Sequence, residues 1–239
     1  MTRLRILVEG QTEEQFVRQL LAPHLGALGV FAEATSIATK RVDGRRAHRG
    51  GHAGNYEFIR RDALLLLRAD PGVTVTTMLD YYGLPHNFPG YATAQAHRDA
   101  PARALHLEGA FAADIQRAYQ EVANRELAPA RFVPNLIIHE YEGLLFTSPA
   151  EIQAVLFDAE IQAALTAIAA AHASPEDIND SPETAPSKRL QRLYPRYDKV
   201  RHGPQIAGRI GLDAIRSKCR HFDGWLAKLE KLRAQGSDG

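Results

Sequence analysis

The stretch Arg3-Leu4-Arg5-Ile6-Leu7-Val8-Glu9-Gly10-Gln11-Thr12-Glu13-Glu14-Gln15-Phe16-Val17 decides how the chain is read. The apolar run that ends at Val8, bounded by Arg5 and Glu9, has the character of a short strand buried on both faces. Gly10 permits a sharp exit, Thr12 is placed to cap a helix, and Glu13 and Glu14 suit its positive first turn. Phe16, Val17, Leu20 and Leu21 follow at the spacing of an inward face, so a helix is expected from about Glu13 to Ala27. Glu9 then stands at the carboxyl end of a buried strand, where open α/β sheets hold their chemistry. A solvated acid in a strand–helix turn is the ordinary alternative. Only further carboxylates arriving beside Glu9 favour a metal ligand or an acid/base.

Two later runs supply such acids. Val73 to Leu79 is β-branched and ends on Asp80, and Phe132 to Ile138 enters His139-Glu140-Tyr141-Glu142-Gly143. Between the runs, Val30 to Thr39 predicts a second strand, and Tyr56 to Ala69 an amphipathic helix with Phe58, Ile59, Ala63, Leu66 and Leu67 inward. Asp70-Pro71-Gly72 stops that helix. Tyr81 to Pro101 reads as a long functional loop and Ala110 to Arg125 as a helix. Beyond Ser148-Pro149 a short helix is expected, then helices at Asp158 to Ala171 and Ile206 to Leu232, with Ser174 to Lys188 irregular. Trp225, Leu226, Leu229 and Leu232 form a stripe that suits core packing. The pattern predicts an α/β fold, a largely parallel central sheet flanked by helices. Residues 1–148 are expected to form the core and 149–239 a helical C-terminal extension packed on it.

Composition narrows the function. With 239 residues, a formal net charge of +1 and 45% hydrophobic content, one large domain can bury its own core. The near-neutral balance leaves any polyanion contact to local patches. The single cysteine, Cys219, excludes an intrachain disulfide and a thiolate metal cluster. No apolar run is long enough for a signal-peptide core or a membrane span, so a cytoplasmic protein without membrane contact is expected. Gly-x-x-x-x-Gly-Lys-Ser/Thr is absent, so any ATP-driven step needs a partner.

Parallel strands place their carboxyl ends at one edge, so Glu9, Asp80 and the Glu140/Glu142 pair can converge. Clustered carboxylates raise one another's pKa unless a cation neutralises them. Hard oxygen ligands without thiolate point to Mg²⁺ or Mn²⁺, shared with a phosphate and activating water for phosphodiester cleavage. Glu13 could reach a second ion. Lys188, after a proline-rich loop, could stabilise a pentavalent phosphate, although a solvated lysine is the commoner case. Lys40, Arg41, Arg45, Arg46 and Arg49 make the best nucleic-acid patch; a solvated charge run in a long polar loop is the competing reading. Tyr81 and Tyr82 suit base stacking or packing beside the strand end. His139-Glu140 lacks the second histidine of a zinc-protease helix, because Gly143 stands there.

The residues from Leu4 to Val17, with Val8-Glu9-Gly10, resemble the opening of a Toprim domain. That fold is shared by topoisomerases, primases and OLD-family nucleases. The resemblance implies Mg²⁺ held by the opening glutamate and by a strand-end Asp-x-Asp. Glu9 and Asp80 match those roles, but Tyr82 replaces the second aspartate, and Glu140 or Glu142 could supply its carboxylate. Four blocks, Leu79 to Pro85, His139 to Phe146, Ser181 to Arg189 and Cys219 to Phe222, resemble a Toprim-like prokaryotic family (DUF4276-type). It is related to the Toprim nuclease subunit of the PARIS phage-defence system. The resemblance implies a Rossmannoid, Toprim-like core and a metal-dependent endonuclease acting on RNA (tRNA included) or DNA. It also implies a defence module with an ABC/OLD-type ATPase partner, and it is compatible with a homodimer. The alternative is a non-catalytic regulatory subunit that keeps the Toprim shell and docks on the ATPase, which the Tyr82 departure favours. Nucleotidyl transfer is weaker, because no template-binding module is evident.

Overall fold

The apolar residues of the first strand need cover on both faces, and the sheet is built around that need. The computed structural model describes residues 2–38, 40–42, 45–47, 55–179 and 183–232. β1 (Thr2–Val8) sends Leu4, Ile6 and Val8 into one hydrophobic cluster and Leu7 into another, as the alternation of a strand requires. The following helix has three parts: α1 (Gln11–Phe16), a π-helical turn (Val17–Leu21) and α2 (Ala22–Ala27). The π turn leads into Pro23, which lacks the N–H an α-helix would use there. Gly10 caps α1 in place of the expected Thr12. Its extended backbone accepts the Glu14 N–H at 3.1 Å, while Thr12 is buried in the first turn.

β2 (Val30–Ser36) pairs parallel with β1. Within the expected polar loop, β3 (Lys40–Val42) and β4 (Arg45–Ala47) form a separate antiparallel pair. α3 (Tyr56–Ala69) has the expected bounds, because the Asn55 side chain accepts the Glu57 N–H at 3.0 Å. It buries Ile59, Ala63 and Leu67 and leaves Phe58 and Leu66 partly covered. β5 (Val73–Asp80) is buried along its whole length and pairs parallel with the other side of β1.

The expected loop after β5 holds the short α4 (Tyr91–Ala94), and α5 (Ala100–Ala123) begins at its end. α5 starts well before Ala110, because Asp99 accepts the Ala102 N–H at 2.9 Å and Pro101 suits a first turn. The third strand is broken into β6 (Phe132–Val133) and β7 (Leu136–Ile137), both parallel to β5. Pro134 has no N–H for the ladder. The Thr77 hydroxyl bridges the gap, accepting the Asn135 N–H at 2.9 Å and donating to the Asn135 carbonyl at 2.7 Å.

Seven helices complete the described residues: α6 (Tyr141–Leu145), α7 (Pro149–Leu156), α8 (Gln162–Ala170), α9 (Pro186–Leu193), α10 (Lys199–Ile210), α11 (Leu212–Lys218) and α12 (Arg220–Glu230). Two expectations shift. α9 begins inside the stretch read as irregular. α10 begins at Lys199, ahead of Ile206, because Asp198 accepts the Arg201 N–H at 3.0 Å. Ile206, Trp225 and Leu229 join Leu4, Ile6 and Phe16 in one hydrophobic cluster, and Trp225 Nε1 donates to Thr76 Oγ1 at 2.9 Å. No described helix is long and apolar enough to cross a membrane.

One side chain ties the end of α3 to the start of β5. The Arg131 guanidinium donates to the carbonyls of Leu67 at 2.7 Å, Asp70 at 2.8 Å and Val73 at 3.2 Å, and to the Tyr119 hydroxyl at 3.2 Å. Arg131→Ala removes the donor these carbonyls share and should cost about 2–3 kcal/mol in urea unfolding. Arg131→Lys, which cannot reproduce the fork, should recover less than half of the loss.

Candidate metal centre at the carboxyl edge of the sheet

β1 and β5 run in register from Arg3↔Val73 to Val8↔Met78, so Glu9 and Asp80 leave the sheet at one edge. Beyond the last paired residues, Glu9 Oε1 accepts the Asp80 N–H at 2.9 Å, and a side chain continues the ladder. On its other side Asp80 pairs with Ile137 of β7, and its Oδ1 accepts the Tyr141 N–H at 2.9 Å. The turn from β7 into α6 is made by His139 at φ 63°, a left-handed conformation that histidine adopts more readily than most residues. Its carbonyl accepts the Tyr82 N–H at 3.1 Å.

Helix starts bring two more acids. Glu13 on the first turn of α1 and Glu142 on the first turn of α6 are buried, as is Asp80. Lys199, the first residue of α10, places Nζ 3.2 Å from Glu13 Oε1, 3.3 Å from Asp80 Oδ2 and 3.6 Å from Glu142 Oε2. Tyr197 donates its hydroxyl to Glu142 Oε1 at 3.4 Å. Glu13 Oε1 and Glu142 Oε2 are buried without a hydrogen bond, so the ammonium reaches them through charge alone. Gly203 lets α10 approach this closely. A Cβ there would lie 3.1 Å from Tyr141 Cε1 and 3.3 Å from Thr12 Cγ2.

The crowding shows in the acidities. Burial, then the charges of Asp80 and Glu13, pushes Glu9 up to about 8. Burial raises Asp80 to about 6 and Glu142 to about 7, with Lys199 opposing and neighbouring carboxylates adding. For Lys199 burial works against the charged form, but Asp80, Glu142, Glu13 and Glu9 outweigh it and raise the pKa.

Glu9, Glu13, Asp80 and Glu142 are thus gathered in one place. Of the Glu140/Glu142 pair, Glu142 faces Lys199, while Glu140 Oε2 accepts the Ser187 N–H at the start of α9 at 3.1 Å. Lys188, beside Ser187, is exposed and forms no ion pair among the described residues. The cation in the cluster is Lys199, which the sequence marked only through its capping neighbour Asp198. Tyr82, at the Asp-x-Asp position, is 36% exposed with its ring 5.9 Å from the His139 ring. Arg49 lies outside the described residues, and of Lys40, Arg41, Arg45 and Arg46 only the backbone is described.

The donor set suits a hard cation: oxygens only, two of them buried and lacking hydrogen bonds. Among the described residues no three carboxylate, imidazole or thiol groups already stand at metal-holding spacing, and the ammonium lies among them instead.

The model of the family described as "Domain of unknown function (DUF4276)" matches residues 8–230, and the chain belongs to that family. Among curated proteins none matches this sequence. Solved structures of the C-terminal region of the Xanthomonas campestris pv. campestris OLD protein are similar. The one phased with mercury has a TM-score of 0.45 at 16% identity, covering 99% of this chain and 98% of that one. The one phased with iodine has a TM-score of 0.43 at 15% identity, covering 100% and 99%.

The raised carboxyl pKa values fix the sign of a pH dependence. A carboxyl that holds its proton more tightly when folded stabilises the fold below its unfolded pKa, and that contribution is lost as pH rises through the folded value. In chelator, the melting temperature should therefore fall as pH rises from about 5 to 9. Lys199→Met removes the ammonium that faces Glu13, Asp80 and Glu142. Near pH 8 it should cost about 1–3 kcal/mol, at the low end for a buried pair because the ammonium is half open to solvent. The deficit should shrink toward pH 5 as the carboxyls protonate; a deficit that grew on acidification would contradict the assignment.

Proposed function

We propose that this chain is a Mg²⁺- or Mn²⁺-dependent Toprim-fold nuclease that cleaves phosphodiester bonds of RNA or DNA. The observation that carries this reading is the convergence of Glu9, Glu13, Asp80 and Glu142 at the carboxyl edge of a parallel sheet. These four would hold the cation, with Glu140 near enough for its charge to act on Asp80 and Glu142. Such an ion, when bound, polarises a phosphate and makes water a stronger nucleophile.

The chain's own residues supply the rest. As the alternative to ligating the ion, Glu9, pushed up to about 8 in its absence, would take or return a proton near neutral pH. Lys199 can turn its ammonium toward phosphoryl oxygens, since its side chain is 39% exposed. Tyr82 and His139 offer neighbouring rings on which a base can stack. Lys40, Arg41, Arg45, Arg46 and Arg49 are the proposed phosphate grip, and Lys188 a further candidate cation. The sequence blocks noted above support a role as the effector of an anti-phage module with an ABC/OLD-type ATPase. A second reading, a non-catalytic subunit docking on that ATPase, is favoured by one observation: Lys199 already neutralises the acids without a metal.

Glu9→Gln separates the two. It keeps the volume, removes a charge and relieves repulsion. The variant should melt at the parent's temperature or slightly higher in chelator, lose the Mg²⁺-induced rise in melting temperature, and lose Mg²⁺-dependent cleavage of tRNA or plasmid. A parent that neither gains stability from Mg²⁺ nor cuts either substrate would support the non-catalytic subunit. Full activity in Glu9→Gln would overturn the metal assignment.

A further inference from the structure

The beta-sheet edge formed by β6 and β7 is covered by α5 and α12, and between those helices lies a cleft of about 500 Å³. It shares no residue with the carboxylate cluster. Its volume is that of a small-molecule site. One wall, from α5, presents Pro101 and Leu105, and Leu105 is 55% exposed. The other wall, from α12, presents Arg220, His221 and Lys228. The floor is Asn135, in the break between β6 and β7. At Gly224 on the rim, a Cβ would meet nothing within 4 Å.

The acids here already have partners, and two of the cations have none among the described residues. Glu108 Oε1 accepts the Leu136 N–H at 2.8 Å and pairs with His221 Nε2 at 2.8 Å. The two oxygens of Glu176 accept the N–H groups of His221 and Phe222, each at 3.0 Å. Burial disfavours a charged His221 ring, but its bond to Glu108 prevails and its pKa is raised. Arg220 and Lys228 are exposed, and neither forms an ion pair among the described residues. At the floor, the Asn135 amide is buried with neither Nδ2 nor Oδ1 hydrogen-bonded, which is costly for a primary amide.

We infer that the α5–α12 cleft binds a small amphipathic organic anion. The apolar body lies on Leu105 and Pro101. Its carboxylate, sulfonate or phosphate is held by Arg220 and Lys228. A slight turn of Asn135 lets its amide meet a polar group of the ligand. A nucleic-acid strand fits less well, because the α5 wall offers Pro101, Leu105 and the Glu108 carboxylate and no phosphate partner.

The chain's single tryptophan, Trp225, lines this cleft and reports on it. Titration of the full chain with anilinonaphthalene sulfonate should quench Trp225 emission saturably, at one probe per chain. Arg220→Ala/Lys228→Ala should weaken binding about tenfold or more, through loss of charge-assisted contacts, with the melting temperature unchanged. Leu105→Ser should weaken it through the apolar wall. The inference is overturned if quenching does not saturate, if the double variant binds equally well, or if uncharged N-phenylnaphthylamine binds as tightly. Displacement of the probe by a single-stranded oligonucleotide but not by naphthoate would make the cleft a nucleic-acid contact and overturn it as well.

Discussion

The ammonium of Lys199 stands between 3.2 and 3.6 Å from one oxygen of each of three buried carboxylates, on three different elements. Without it, Glu13, Asp80 and Glu142 would face one another across a poorly solvated space, with Glu9 bonded to the Asp80 backbone beside them. Like charges in such a space either take up protons or draw in a cation. The fold does some of each. Glu9, Asp80 and Glu142 are pushed toward neutral pH, and Lys199 is held charged. On the proposed function, a cation would take the place of the ammonium, which is 39% exposed, while the carboxylates stay on strand and helix ends.

The rigidity of those ends comes from the sheet. β1 lies between β2 and β5, so its exit is fixed from both sides, and Asp80 is clamped by Glu9, Ile137 and the Tyr141 N–H. α10 must then reach back to the same edge, and Gly203 permits that approach at Tyr141 and Thr12. The C-terminal helices are therefore part of the site as well as part of the core. Ile206 and Trp225 share a cluster with Leu4 and Phe16, and Lys199 lies on the same helix as Ile206.

What could be read from the sequence follows from how local each signal is. β1, β2, α3 and β5 were legible because burial leaves a periodic apolar trace within a few residues. Asp99-x-Pro101 and Asp198 also carried local signals, as helix caps, but Gly, Pro and His around them masked the helices they begin. Pro134 announced the break between β6 and β7, yet the apolar residues on either side read as one run. Lys199 had no signal of its own. Its partners Glu13, Asp80 and Glu142 are far away in sequence, and only the three-dimensional path of α10 makes the lysine their neighbour.

A formal net charge of +1 conceals how unevenly that charge is spread. At the carboxyl edge of the sheet Glu13, Asp80 and Glu142 share the Lys199 ammonium. In the cleft beside β6 and β7 the carboxylates of Glu108 and Glu176 already have backbone N–H groups and a histidine as partners, and two cations have none among the described residues. The difference has a structural origin. Glu176 spends both oxygens on backbone donors at a helix start, and Glu108 spends Oε1 on a strand-start N–H and on His221. Glu13 and Glu142 each keep one oxygen with no hydrogen-bond donor. A backbone donor does not by itself bar a cation, since Asp80 accepts the Tyr141 N–H on one oxygen and faces Lys199 with the other. The partners of each carboxylate thus separate an acid-rich edge from a base-rich cleft in a chain whose overall charge predicts neither.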